Sequence, residues 1–159
     1  MVEFKGQFYS VPASKIGPKP VQKPHPPILL GGFSPKTFLR IVNYADGWIP
    51  VAGFGSLEQL EQAINGLREG ARKADKDPSK IRVFVLTYPN VLDSSSFSNS
   101  SSQEQRLPMT GTTDQIGTDI HQIRAMGAEH IIFGHAFSSI GKDMKKMIEI
   151  TKQLARFAK

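Results

Sequence analysis

The sequence predicts an α/β fold with parallel strands, on three observations. Short apolar or β-branched runs alternate with longer segments whose apolar residues recur at helical spacing. The links between them are short and carry Gly, Asp-Gly or Asp-Pro turn chemistry. Two capping boxes, Ser56 to Gln59 and Thr112 to Gln115, mark where helices begin after such links. Strands and helices alternating in this way imply parallel strands joined by right-handed crossovers.

At 159 residues the chain has the length of one ordinary domain and can bury a real core. Its apolar share of 39% and charged share of 21% are those of a globular protein. No run approaches the roughly 20 apolar residues of a membrane span, and no signal-peptide pattern opens the chain. The absence of cysteine rules out disulfides and thiolate chemistry, and a cytoplasmic location is the expectation. The net charge of +6 suits an anionic ligand such as a nucleotide, a phosphate or a poly-glutamyl tail. A solvated lysine-rich surface explains the same charge without a ligand. The basic residues are spread along helices rather than gathered with aromatics on strands, and no helix-turn-helix pattern occurs. A specific nucleic-acid partner is therefore not expected.

Residues 1–27 read as an extended arm or ribbon with a proline-rich lead-in. Phe4 to Val11 alternates apolar and polar residues about Gly6, and each proline from Pro18 to Pro27 restricts its own φ and its predecessor. Residues 28–159 read as four strand–helix units. Ile28, Leu29 and Leu30 are expected to form a short buried parallel strand. Ser34 caps the next helix with Pro35 at its first position; Phe38, Ile41, Val42 and Ala45 form its buried face, and Asp46-Gly47 ends it. Trp48 to Val51 is the second strand.

The capping box at Ser56 opens a helix to about residue 74, with Leu57, Leu60, Ile64, Leu67 and Ala71 as its stripe. After the Asp77-Pro78 turn, Ile81 to Thr87 is the third strand. Residues 92–107 are serine-rich, and a mobile loop is expected there. Thr112 opens the third helix, with Ile116, Ile120, Ile123 and Met126 behind it and Gly127 closing it. His130 to Gly134 is the fourth strand. The last helix is expected to start at Gly141 or Lys142 and to face Met144, Met147, Ile148, Thr151 and Leu154 inward.

Parallel α/β sheets bind ligands beyond the carboxyl ends of their strands. Of those ends, the segment Gly31, Gly32, Phe33 and Ser34 is the best phosphate candidate. It combines two residues without side chains, a hydroxyl and a helix N-terminus. A tight turn that serves packing alone is the competing reading. The four histidines lack metal-ligand spacing, so no metal site is expected. His135, just past a strand end, is the histidine best placed to reach a pocket, although a polar loop histidine is the plainer reading. Trp48 reads as core, and Asp46 as a hydrogen-bonder at the strand start. No nucleophile–base pair or carboxylate dyad is recognisable, so the catalytic residues are unknown.

Several blocks together resemble the C-terminal half of the luciferase-like monooxygenases and their deazaflavin (coenzyme F-420)-dependent branch. They are Phe4-x-Gly6 with Phe8-Tyr9, the proline-rich run from Pro18 to Ile28, Gly31-Gly32-x-Ser34, Asn43 to Trp48, Gly111-Thr112 and His130 to Phe133. The resemblance implies a TIM (β/α)8 barrel of which this chain holds about four units, the first four lying outside it. It implies cofactor contacts at Gly31, Gly32, Phe33 and Ser34, with coenzyme F-420 favoured by the Gly-Gly turn and FMN as the alternative. It further implies hydride transfer between the reduced cofactor and an organic substrate. The alternative is a non-catalytic half-barrel that closes as a homodimer or pairs with a complementing chain.

Overall fold

The computed structural model describes residues 1–92, 106–138 and 140–158. An antiparallel hairpin of β1 (Val2–Lys5) and β2 (Ser10–Ser14) precedes the proline-rich segment, with Phe4 opposite Val11. The parallel sheet follows, built from β3 (Leu29–Leu30), β4 (Gly47–Trp48), β5 (Val51–Ala52), β6 (Arg82–Thr87) and β9 (His130–Phe133).

β4 and β5 are two pieces of one strand. Gly47 lies opposite Arg82 and Val51 opposite Leu86, which is the same offset on β6. The interruption falls at Ile49-Pro50, where proline removes a donor from the ladder. The sheet therefore runs β3, β4/β5, β6, β9, all parallel. Helices α1 (Pro35–Tyr44), α2 (Leu57–Lys73), α3 (Thr113–Ala125) and α4 (Met144–Leu154) follow the successive strands. These four strand–helix units are half the number in a (β/α)8 barrel.

Capping chemistry sets the helix starts. Ser56 Oγ accepts from the Gln59 N–H at 3.3 Å, and Gln59 Oε1 accepts from the Ser56 N–H at 3.1 Å. Thr112 and Gln115 repeat the exchange at 3.3 and 2.9 Å. The five expected stripe residues of α2 are all buried. In α3 Ile116, Ile120 and Ile123 are fully buried, and Met126 packs half-buried against them. Along β6, Val83, Val85 and Thr87 are buried, and the two valines join the same core as the helix stripes. Arg82, Phe84 and Leu86 point to the other face and are only half-buried.

Two expectations need correction. Ile28 is 46% exposed, and Leu29 and Leu30 are half-buried, because β3 pairs with β4 alone among the described residues. The last helix starts at Met144, not at Gly141 or Lys142, because the Asp143 carboxylate accepts from the N–H groups of Lys145 and Lys146. Its inward side carries Met147, Ile150, Thr151 and Leu154, which leaves Met144 66% and Ile148 48% exposed. Strands β7 (Asn90–Val91) and β8 (Thr110–Gly111), unforeseen in the sequence, pair in parallel on either side of the serine-rich segment. Residues 93–105, where mobility was expected, lie outside the described residues.

Candidate functional site

The carboxyl ends of β3, β5, β6 and β9 form one rim, and the turn after β3 is its most open part. Gly31, Gly32, Phe33 and Ser34 are all exposed. Gly32 has φ +101, a conformation that L side chains rarely adopt. Gly31 is unstrained, and a Cβ there would meet only the Ile49 carbonyl at an ordinary 3.5 Å. Ser34 Oγ accepts from the Thr37 N–H at 3.1 Å and lies 2.9 Å from Thr37 Oγ1. Among the described residues, the N–H groups of Gly32, Phe33, Ser34 and Lys36 have no partner. Four uncommitted donors at a helix N-terminus, with glycine backbone beside them, fit an anionic oxygen cluster.

Trp48 holds this turn in place. It is fully buried, its Nε1–H donates to the Gly32 carbonyl at 2.8 Å, and the rings of Phe33 and Phe38 stand nearly perpendicular to its own with centroids 5.2 Å away. Asp46, two residues before Trp48 and just ahead of β4, accepts from the Ile28 N–H at 2.7 Å and ties the start of β4 to that of β3. His25 Nδ1 lies 3.7 Å from the same carboxylate.

His135 is turned away from the rim. Its Nε2 lies 2.8 Å from Thr151 Oγ1, whose hydroxyl is also 2.8 Å from the Met147 carbonyl. His135 Nδ1 is buried without a partner among the described residues. His130 lies on the half-open sheet face, its ring 4.4 Å from that of Phe84. No group of three or more His, Asp or Glu positioned to hold a metal occurs among the described residues.

On the β8–α3 side, the Asp119 carboxylate accepts from Arg106 Nη1 at 2.8 Å, from Arg106 Nη2 at 2.5 Å and from the Met109 N–H at 2.7 Å. Arg106 Nη1 also donates to the Thr110 carbonyl at 2.7 Å. The carboxylate thereby binds the backbone of Met109, which sits at φ +61. Asp119 interrupts an isoleucine stripe at helical spacing. An acid on a buried face requires a partner, and that signal was present in the sequence.

The family profile described as luciferase-like monooxygenase matches residues 1–142. The chain belongs to the luciferase-like monooxygenase family. Over 85 residues it is 38% identical to uncharacterized proteins of Mycobacterium tuberculosis and Mycobacterium bovis, covering 53% of this chain and 28% of theirs. Among solved structures it resembles an F-420-dependent secondary alcohol dehydrogenase, with TM-score 0.67 and 21% identity over 96% of this chain and 56% of that one. The coenzyme F-420-dependent tetrahydromethanopterin reductase of Methanopyrus kandleri gives TM-score 0.68 at 15% identity, with the same coverage. A monooxygenase from Streptomyces bottropensis gives 0.69 at 16% identity, over 98% of this chain and 54% of that one. These are TIM barrels, and the luciferase-like chain described here spans about half the length of each.

Proposed function

We propose that this chain is the cofactor-anchoring part of a luciferase-like oxidoreductase. It would hold the phosphate end of reduced coenzyme F-420, or of FMN, for hydride transfer to or from an organic substrate. The observation that carries this reading is the exposed turn at Gly31, Gly32, Phe33 and Ser34, with its uncommitted N–H groups and the Gly32 backbone at φ +101. When bound, the ring system of either cofactor supplies the redox chemistry. The chain's own residues supply position: Gly31 lets backbone approach the phosphate, the Ser34 cap aims the α1 N-terminus at it, and Trp48 fixes the turn from beneath. The net charge of +6 adds attraction for an anionic cofactor. The Gly-Gly turn favours the deazaflavin over FMN, and the setting proposed is cytoplasmic.

Calorimetric titration of coenzyme F-420 and of FMN tests this directly. Micromolar saturation by either, abolished in Gly31→Val, is the expected result. No heat at millimolar cofactor with the folded chain would end the reading.

A second reading rests on a different observation. β3 and β9 each have one neighbour among the described residues, and Phe84 and Ile132 lie on a sheet face only partly covered. Two open edges and an apolar face are what a half-barrel that pairs with a second copy, or with a complementing chain, would present. Sedimentation analysis separates the cases: a dimer supports self-closure, and a well-behaved monomer opposes it.

A further inference from the structure

The parallel sheet ends in two strands of the same direction, β3 and β9, each with one neighbour among the described residues. The sheet face turned away from the helices is apolar along most of its length. It carries Leu29, Val51, Phe84 and Leu86, all half-buried, and Ile132, which is 38% exposed. Arg82 and His130 stand at its amino end, the Arg82 guanidinium 4.8 Å above the Phe84 ring. Register fixes these side chains on one face: Leu29 lies opposite Gly47, Gly47 opposite Arg82, Val51 opposite Leu86, and Leu86 opposite Ile132.

The same register shows what fits the two edges. Followed across the sheet, Leu30 stands level with Trp48, Val83 and Glu129. A (β/α)8 barrel staggers its strands by about eight residues per circuit, so roughly four fall to each half. Shifted in one direction, Leu30 would meet Ala125 of a second copy, which lies inside α3. Shifted in the other, Leu30 meets Phe133 and Leu29 meets Ile132, both within β9. Only this second arrangement joins strand to strand. It also matches the faces: Leu29 and Ile132 share the apolar face, while Leu30 and Phe133 both pack against the helix-side core.

From this match we infer that a second copy of this chain covers the apolar face, β3 of each copy pairing in parallel with β9 of the other about a two-fold axis that runs along the strands. The sheet then closes on itself as a (β/α)8 barrel, and neither β3 nor β9 keeps an open edge. The inference rests on the half-barrel reading and commits it to one partner. It also makes the candidate site composite. The turn from Gly31 to Ser34 of each copy comes to lie beside the link that begins at Gly134 of the other, and both cradles open on one mouth.

The chain contains no cysteine, so introduced thiols report the pairing without background. Co-expressed Leu29→Cys and Ile132→Cys chains are expected to give a covalent dimer on mild oxidation. Either variant alone should give none, because the two-fold sets like strands on opposite sides of the barrel. Wild type should sediment at twice the 17.5 kDa mass of one chain. Ile132→Asp alters a side chain already 38% exposed, so it should keep the wild-type circular dichroism while weakening the dimer at least about tenfold. A folded wild-type monomer at high micromolar concentration overturns the inference, although a half-barrel that takes a different chain would still stand. A dimer that cross-links within either variant alone, or fails to cross-link in the co-expressed pair, overturns the pairing of β3 with β9 and leaves the half-barrel reading in place.

Discussion

Asp119 closes a two-oxygen grip on Arg106 across thirteen residues, at 2.8 and 2.5 Å, with its carboxylate 4% and the guanidinium 18% exposed. The pair anchors the chain where it returns to the sheet after the serine-rich segment. Removing one member of such a pair leaves the other charge buried and unanswered, which typically costs about 3–5 kcal/mol. Asp119→Ala is therefore expected to lose about 3 kcal/mol or more in urea unfolding, and the Met109 N–H loses its acceptor as well. A loss within 0.5 kcal/mol of wild type, roughly a surface-substitution effect, would show that the grip is not stabilising.

The two glycines of the cradle should separate stability from binding. Gly32→Ala forces an L residue to φ +101 and brings its Cβ to 3.2 Å from Thr37 Oγ1, so about 1–2 kcal/mol of stability should go. Gly31→Val meets no such strain. It should unfold close to the wild-type urea midpoint yet fail to take up cofactor. Equal stability losses in both variants would contradict the assignment of separate roles.

Trp48→Phe deletes the indole donor and part of a fully buried ring. The Gly32 carbonyl then loses its 2.8 Å partner, at a net cost of about 1 kcal/mol, with some further loss from the missing indole volume. Cofactor affinity should fall together with stability, because the turn is no longer held from below. Calorimetry and urea melts on the same sample check both. Unchanged affinity would mean that the turn keeps its shape without the tryptophan.

Arg82 and Glu129 give a pH signature. Hydrogen bonding from the Arg82 guanidinium holds the Glu129 carboxyl below its ordinary value of 4.5. A lowered folded value means that the contribution is fully present above the ordinary value and is lost as pH falls through the lowered one. The melting-temperature gap between wild type and Glu129→Gln should thus be widest near neutrality and narrow as pH drops below 4.5. The pair is partly exposed, so the gap should be small and shrink further in salt. A gap that widens toward low pH would reverse the assignment.

Local chemistry made much of this fold readable. Ser56 with Gln59 and Thr112 with Gln115 announce helix starts because each pair can answer the other's backbone donors. The α2 stripe was legible because five apolar residues share one face. α4 misled because its sequence carries two overlapping apolar stripes, and packing of Ile150 and Leu154 selected the one that leaves Met144 and Ile148 outside. β7 and β8 are two residues each, too short to show any period. At the candidate site, the Gly31–Ser34 turn was visible in its glycines and its cap. The support from Trp48 reaches the Gly32 carbonyl across sixteen residues and depends on segments brought together in the sheet, which no local pattern encodes.

The chain contains one tryptophan, and it sits beneath the glycine pair, edge-on to Phe33. Its emission therefore comes from a single known address. Any molecule that settles on the cradle and shifts Phe33 will perturb that signal without a dye or an engineered label, so an ordinary fluorimeter and unmodified protein suffice to screen candidate ligands.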